Sequence, residues 1–170
     1  MTNAVNSYQF CGRATARIAR SWIKREQDPG RPVPWTPLSK RLSECTVAFI
    51  SSAGVAMLDD APFDQEGERQ NPWWGDPSYR ILPRTATEQE VKLYHLHIHP
   101  RIAEQDLNTT LPLQRLLEFE ARGEIGRSAA QHYSYMGYIL EPQVLLEQST
   151  PDMVRNMRRD EVDVVLLVPG

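Results

Sequence analysis

The segment Cys45-Thr46-Val47-Ala48-Phe49-Ile50 decides the fold class of this 170-residue chain. Its residues are apolar or β-branched and do not alternate with polar ones, which is typical of a strand buried on both faces in a parallel sheet. The segment runs into Ser51-Ser52-Ala53-Gly54, small residues that allow a tight turn or a close approach of the backbone. We therefore predict an α/β fold with an open, mostly parallel sheet and flanking helices.

Helices are predicted wherever apolar residues recur at helical spacing. The pattern predicts one helix over Ser7 to Gln27 and another over Leu111 to Arg122, with Gly123 as the C-cap. A third helix is predicted to begin at Thr150, an N-cap residue followed by proline, and to reach Arg159.

Two further strands and one long loop complete the predicted domain. Strands are expected over Val91 to Ile98 and over Val162 to Val168, and the second is the best candidate in the chain for a central, buried strand. Turn-forming and aromatic residues are dense from Asp59 to Pro83, so we predict a long loop rich in proline and aromatic residues there.

Composition excludes several classes of function. The 19 basic residues are scattered among 22 acidic ones and leave a net charge of −3, whereas a nucleic-acid-binding protein normally has a basic stripe. The longest apolar run, Val162 to Val168, is much shorter than the ~20 residues of a membrane span, and no export signal is recognisable at the start. Two cysteines do not make a disulfide framework. We expect a cytoplasmic protein that binds neither nucleic acid nor membranes.

Three histidines with a spacing of two residues form a candidate metal site. On a strand, His95, His97 and His99 would share one face and could bind zinc or copper with a position left open for substrate. The alternative is a polar strand end in which His97 bonds to a carboxylate such as Asp106.

Two residues are candidate catalytic groups. His132, among tyrosines, could donate a proton to a leaving amine, or could instead pack under an aromatic loop. Cys45 opens the buried strand, where a cysteine is commonly inert but could have a redox role.

Substrate binding is predicted where the backbone turns. The candidates are Ser52 and Gly54, which follow the buried strand, and the aspartates Asp60, Asp76 and Asp106. Asp60 and Asp76 lie in proline-rich loops, where each could instead stabilise its own turn.

Seven short motifs follow one another along the chain: Cys45 to Val55, Asp60 to Asp64, Gly75 to Arg80, His95 to Ile98, Glu104 to Asn108, Gly123 to Gly126 and His132 to Tyr138. Their order resembles the selenoprotein B family of glycine, sarcosine, betaine and D-proline reductases. The resemblance extends from Pro34 to Gly170, so we divide the chain into an N-terminal helix and linker, residues 1–33, and an α/β reductase-like domain, residues 34–170, that is incomplete at its C-terminus.

The resemblance implies reductive cleavage of a carbon–nitrogen bond. In this family a selenocysteine or cysteine is the nucleophile, a second cysteine lies close by, and a pyruvoyl group on a partner subunit holds the substrate amine. The nucleophile follows a strand end similar to Val164 to Gly170, so we expect it just beyond Gly170, either after a selenocysteine codon misread as a stop or in a separate chain.

Two functions stay open. The resemblance implies that the chain is the N-terminal part or a subunit of a selenol- or thiol-dependent reductase, an oxidoreductase that exchanges electrons with a thiol/disulfide couple. Alternatively, it is a non-catalytic assembly subunit, able to bind metal through its histidines, that acts only with a partner chain. In both cases a homo- or hetero-oligomer is expected, because a final strand with no helix after it leaves apolar surface uncovered.

Overall fold

The computed structural model describes residues 12–14, 16–17, 20–21, 36–70, 75–139 and 142–170. The chain divides into two compact units, Met1–Pro37 and Leu38–Gly170. In the first unit, residues 13, 14, 16, 17, 20 and 21 are helical, as predicted, whereas residue 12 is not, and the other residues of the predicted helix lie outside the described ones.

The second unit is a mixed α/β fold. It contains short 3₁₀-helices at Leu42–Glu44 and Leu107–Thr109 and a π-helix at Leu145–Ser149. In chain order its regular elements are β1 (Thr46–Ser51), β2 (Val55–Met57), α1 (Gln65–Gln70), β3 (Asp76–Pro83), β4 (Val91–Leu93), α2 (Pro100–Gln105), α3 (Leu113–Ala121), β5 (Arg127–Ser128), β6 (Gln131–Met136), α4 (Thr150–Arg159) and β7 (Val164–Val168).

Strand β1 is the centre of the main sheet. It pairs in parallel with β7 along one side, from Val47 opposite Val164 to Ser51 opposite Val168. Its other side is shared by β5 at the start and β6 at the end, also in parallel. β3 is antiparallel to β6, and β2 and β4 form a separate antiparallel pair. The predicted mostly parallel α/β sheet is confirmed.

Both faces of β1 are covered, which explains its continuous apolar sequence. Val47 and Phe49 lie in the larger core cluster, together with Leu107, Leu111 and Leu113 from the segment that leads into α3. Ile50 packs on the opposite cluster, where α4 contributes Met153 and Met157 and β6 contributes Tyr133. The predicted helix over Leu111 to Arg122 is confirmed as α3, and Gly123 has the positive φ, 69°, of a C-terminal glycine.

The long loop predicted over Asp59 to Pro83 is wrong for most of its length. Helix α1 and the eight-residue strand β3 occupy it, while Trp73 and Trp74 lie outside the described residues. β3 contains Pro77 and has another proline, Pro83, at its end, because an edge strand tolerates residues that cannot donate to a ladder.

The predicted start of the last helix is also wrong. Residues 143–149 are already helical, and Ser149 and Thr150 have ordinary helical dihedral angles, so Thr150 is not an N-cap. The N–H of Thr150 bonds to the carbonyl of Leu145, five residues earlier. Pro151 has no N–H to donate, and the wide π-helical turn directly before it accommodates that loss.

Strand β7 is shorter than predicted and is neither central nor buried. In the part of the chain that the structure describes, it pairs with β1 alone and forms the sheet edge. Val165, Leu166 and Leu167 are 38%, 45% and 74% exposed. Val164 and Val168, at its two ends, pack against the larger core cluster, whereas the three residues between them do not reach a core cluster among the described residues.

No helix among the described residues is both long enough and apolar enough to cross a membrane.

Candidate functional site

The carboxyl edge of the main sheet is the candidate site. Three backbone segments meet there: Ser51 to Gly54 after β1, Gly137 after β6, and Val168 to Gly170 at the end of β7. In open α/β sheets, ligands bind at this edge because the loops that follow parallel strands come together there.

Ser52 joins these three segments through its backbone N–H, its carbonyl and its Oγ. Its N–H donates to the carbonyl of Val168 at 3.1 Å, and its carbonyl accepts the N–H of Gly137 at 2.8 Å. Its Oγ accepts the N–H of Gly170 at 2.9 Å. Ser52 therefore connects the carboxyl ends of β1, β6 and β7.

Two glycines allow the close approach of these segments. A Cβ on Gly170 would lie 2.6 Å from the Cα of Ala53, so the backbone at Gly170 rests directly on the turn after β1. Gly54 has φ of +68°, and a Cβ there would lie 2.7 Å from Cγ of Met136 and 3.3 Å from the backbone nitrogen of His95. The sequence therefore needs glycine at both places.

A buried hydroxyl supports the turn from below. Ser51 is fully buried, and its Oγ donates to the carbonyl of Thr110 at 2.8 Å while accepting the N–H of Ala53 at 3.2 Å. These bonds connect the turn after β1 to the segment before α3. Ser51, Thr110 and Gly137 are positioning residues that the sequence did not single out. For Ser51 and Gly137, a small residue at or just after a strand end was the available signal.

The strand geometry expected for the histidines is wrong. β4 ends at Leu93, because its partner β2 has only three residues and Val55 opposite Leu93 is the last pair. His95 and His97 lie in the following turn, which the N–H of Ile98 closes on the carbonyl of His95 at 3.2 Å. His99 comes just before α2, and its Nδ1 accepts the N–H of Arg101.

The described residues contain no cluster of three or more His, Cys, Asp or Glu side chains that could hold a metal ion. The zinc or copper site predicted on His95, His97 and His99 is therefore unsupported. What the turn does provide is a pair of imidazole rings, those of His95 and His97, whose centroids lie 5.5 Å apart. The backbone nitrogen of His95 lies close to Gly54.

His132 lies inside the core and away from the carboxyl edge. Its Nδ1 accepts the N–H of Phe49 at 3.0 Å, and its Nε2 lies 3.1 Å from Oγ of Ser128. Burial lowers the pKa of His132 to about 4; the carbonyl of Ala129 opposes this shift and the charge of Arg84 adds to it. The ring is neutral at pH 7, as expected for the packing alternative, and proton donation to a leaving amine stays a prediction.

Cys45 lies at the opposite end of β1 from Ser52. The side chain is fully buried, and its Sγ–H donates to the carbonyl of Arg41 at 3.2 Å. The structure does not bring Cys45 together with the carboxyl edge, and a redox role for it stays a prediction.

The three candidate aspartates each accept hydrogen bonds from backbone N–H groups. Asp60 accepts the N–H of Met57, and Asp106 accepts the N–H and the side-chain amide of Asn108, which lowers the pKa of its carboxyl group. Asp76 accepts the N–H groups of Asp64 and Ser78. The bond to Asp60 matches its turn-stabilising alternative, whereas Asp76 is the first residue of β3 and joins that strand to the segment before α1. Of the predicted binding residues, only Ser52 and Gly54 belong to the segments that meet at the edge.

Residues 29–169 match the family described as glycine/sarcosine/betaine reductase selenoprotein B. The chain belongs to this family. It is 28% identical over 139 residues to the D-proline reductase subunit gamma of Acetoanaerobium sticklandii, a match that covers 82% of this chain and 54% of that subunit. It is 29% identical over 99 residues to the betaine reductase complex component B subunit beta of Peptoclostridium acidaminophilum, covering 58% of this chain and 22% of that subunit.

This selenoprotein B family chain thus spans about half the length of the first relative and about a fifth of the second. No solved structure matches it. The family resemblance drawn from the seven motifs is confirmed.

Several of the family-like motifs contact one another in the fold. The N–H of Gly126 donates to the carbonyl of Cys45 at 3.0 Å, and the N–H of Gly137 donates to Ser52. Nε of Arg80 donates to the carbonyl of Ala61 at 2.7 Å. Segments that are distant in sequence therefore build one contiguous framework around β1.

Proposed function

We propose that this chain is the N-terminal part or a subunit of a selenol- or thiol-dependent reductase that cleaves the carbon–nitrogen bond of an amine such as glycine, sarcosine, betaine or D-proline. The observation that supports it most directly is the convergence at Ser52, where the end of β7 meets the turn after β1 and the loop after β6. Its relatives are named as reductase subunits, which supports the same reaction class.

The nucleophile in this proposal is a selenocysteine or cysteine just beyond Gly170, in the same chain or in a companion chain. When present, it supplies the selenolate or thiolate and, with a second cysteine, the electron pair for the reduction. The edge fits such a residue because Gly170 is fixed on both sides: its N–H donates to Ser52, and its backbone rests on Ala53.

The residues of this chain have a supporting role in the proposal. The turn from Ser51 to Gly54 fixes the position of the segment that holds the nucleophile, and the imidazoles of His95 and His97 lie in the turn beside Gly54. A pyruvoyl group on a partner subunit would hold the substrate amine, and we assign no residue of this chain to it.

The proposed partner surface is β7. Its free edge and its exposed Val165, Leu166 and Leu167 fit the remaining portion of the reductase, since the chain spans only about half of the D-proline reductase subunit. Burying exposed leucine side chains contributes ~1.5–3 kcal/mol each, which is substantial beside the stability of a single domain.

Isolation of the native complex tests the proposal. The protein is purified from its source organism through a tag on this chain, and loss of glycine, sarcosine, betaine or D-proline is measured with dithiothreitol as reductant. We expect turnover of one of these substrates, and mass spectrometry should find an alkylated selenocysteine or cysteine shortly after Gly170 or in a companion chain of the complex. An intact complex with no turnover, or with no such residue in either chain, would instead support the non-catalytic assembly subunit.

A further inference from the structure

The hydroxyl of Ser52 makes the one contact at the carboxyl edge that depends on the type of this side chain. The other two bonds of Ser52, to Val168 and Gly137, use its backbone N–H and carbonyl, so any residue could make them. The bond from the N–H of Gly170 needs an acceptor on a short side chain, which serine provides at 2.9 Å.

The crowding at Gly170 makes that bond directional. A Cβ at Gly170 would lie 2.6 Å from Cα and 2.9 Å from the backbone nitrogen of Ala53, so the backbone cannot move closer to β1. The hydroxyl of Ser52 holds the N–H of Gly170 against that contact. Together they set the direction in which the chain leaves β7.

The hydroxyl also has a hydrogen to donate. Oγ of Ser52 acts as an acceptor toward Gly170, and within the described residues its O–H has no acceptor. A serine that accepts from the backbone on one side can donate to an anion on the other, and bonds to ionised sulfur or selenium favour the charged form.

We propose that Ser52 is the positioning residue for the reductase nucleophile, holding Gly170 through its hydroxyl so that the selenolate or thiolate beyond it is fixed at the sheet edge. This inference rests on the proposed function. A displacement of about 1 Å at a reacting atom can reduce a rate on the order of a hundred-fold, so loss of this one bond has a kinetic effect larger than its effect on stability.

The test uses the intact reductase complex with Ser52→Ala, Ser52→Thr and Ser149→Ala. Ser149 is the matched control because its hydroxyl also bonds to the backbone, at the carbonyl of Pro77, on the side of the domain covered by the π-helix. We expect Ser52→Ala to lower kcat at least ten-fold with KM little changed. We also expect the pH midpoint for alkylation of the nucleophile by iodoacetamide to rise.

Ser52→Thr, which keeps a hydroxyl at the same position, should recover most of kcat and the alkylation midpoint. Ser149→Ala should leave both unchanged even if its melting temperature falls. The thermal melt of Ser52→Ala shows whether this variant is folded. The inference is overturned if the wild-type complex turns over substrate and folded Ser52→Ala has the same kcat and alkylation midpoint as Ser149→Ala. Failure of the proposed function is distinguishable, because the wild-type complex itself would then show no turnover or no alkylated residue after Gly170 or in a companion chain.

Discussion

Nδ1 of His132 accepts the backbone N–H of Phe49 at 3.0 Å, which joins β6 to β1 through a side chain inside the core. In the neutral ring the proton must then be on Nε2, which donates to Oγ of Ser128 at 3.1 Å. A second proton on Nδ1 would point at the N–H of Phe49, donor against donor. The low pKa of His132, about 4, agrees with this arrangement.

Protonation of His132 should therefore contribute to the pH dependence of the free energy of unfolding. Its pKa is about 4 in the folded chain and ~6.5 when unfolded, so the unfolded state binds more protons between these values and the free energy of unfolding falls as the pH decreases. The loss across the window from pH 6.5 to pH 4 is roughly 3 kcal/mol. Urea unfolding at pH 7.5, 6, 5 and 4 measures it.

His132→Asn removes this dependence and should cost about 2–4 kcal/mol at pH 7.5. The Oδ1 of asparagine can still accept the N–H of Phe49, but the Nε2 contact with Oγ of Ser128 is lost and a cavity forms in its place. His99 is an exposed histidine, so His99→Asn is the control, and its free energy of unfolding should depend on pH as that of the wild type does. An equally steep acid loss in His132→Asn would show that another group is responsible.

Arg80 should stabilise the loop before α1 more than an ordinary surface arginine does. Its guanidinium donates to the carbonyls of Ala61, Pro62 and Tyr79 and lies 4.3 Å from the ring centroid of the buried Phe63. Arg80→Ala should lower the free energy of unfolding by roughly 2–3 kcal/mol, since several donors and a cation–π contact are lost.

Arg80→Lys should recover less than half of that loss, because an ammonium lacks the planar fork that reaches several carbonyls at once. Arg115→Ala, whose partner Glu118 is an exposed residue on the same helix, should change stability by only about 0.5 kcal/mol. Thermal and urea unfolding compare the three variants, and equal losses at Arg80 and Arg115 would contradict this role.

Burial on both faces explains why β1 could be predicted from sequence, and an apolar face with a glycine after it explains why α3 could. An uninterrupted apolar segment such as Cys45 to Ile50 has few alternatives to a central strand, and Gly123 marks the helix end through its own backbone preference. The turn residues Ser52 and Gly54 could be singled out for the same local reason.

Other features depended on partners that local sequence does not show. Whether a strand includes His95 and His97 depends on the length of β2, which ends the pairing at Leu93. β3 forms because β6 offers it an edge, although its prolines locally favour a loop. The contact between Ser52 and Gly170 joins residues 118 positions apart, and no periodicity in the sequence indicates it.

Asp163 should connect the start of β1 to β7 through one carboxylate oxygen. Its Oδ2 accepts the N–H of Thr46 at 2.8 Å and lies 2.7 Å from Nζ of Lys40, and the bond from Lys40, followed by that from Thr46, lowers the pKa of its carboxyl group. Asp163→Ala should cost about 1 kcal/mol at pH 7 through the unpaired N–H of Thr46.

The advantage of the wild type over Asp163→Ala should be present above the ordinary aspartate pKa of ~3.9 and disappear as the pH falls below it, because the folded state then has to take up a proton at an unfavourable site. Lys40→Met keeps the backbone bond and should cost less than Asp163→Ala. If Lys40→Met costs more in urea unfolding, the ion pair and not the backbone bond makes the main contribution.

Leu167, at 74% exposed the most accessible large side chain of β7, should control self-association of the purified chain. Within the described part of the chain, no strand pairs with the outer side of β7, which lies beside apolar side chains, and this combination favours pairing with another polypeptide. Sedimentation at micromolar concentration should therefore find species larger than the 19.5 kDa monomer.

Leu167→Asp should shift the protein toward the monomer. Leu58, which directly follows β2 and is 59% exposed, is the control, and Leu58→Asp should not shift it. A wild-type chain that sediments as one 19.5 kDa species, melts cooperatively and binds no hydrophobic dye would show that β7 needs no partner.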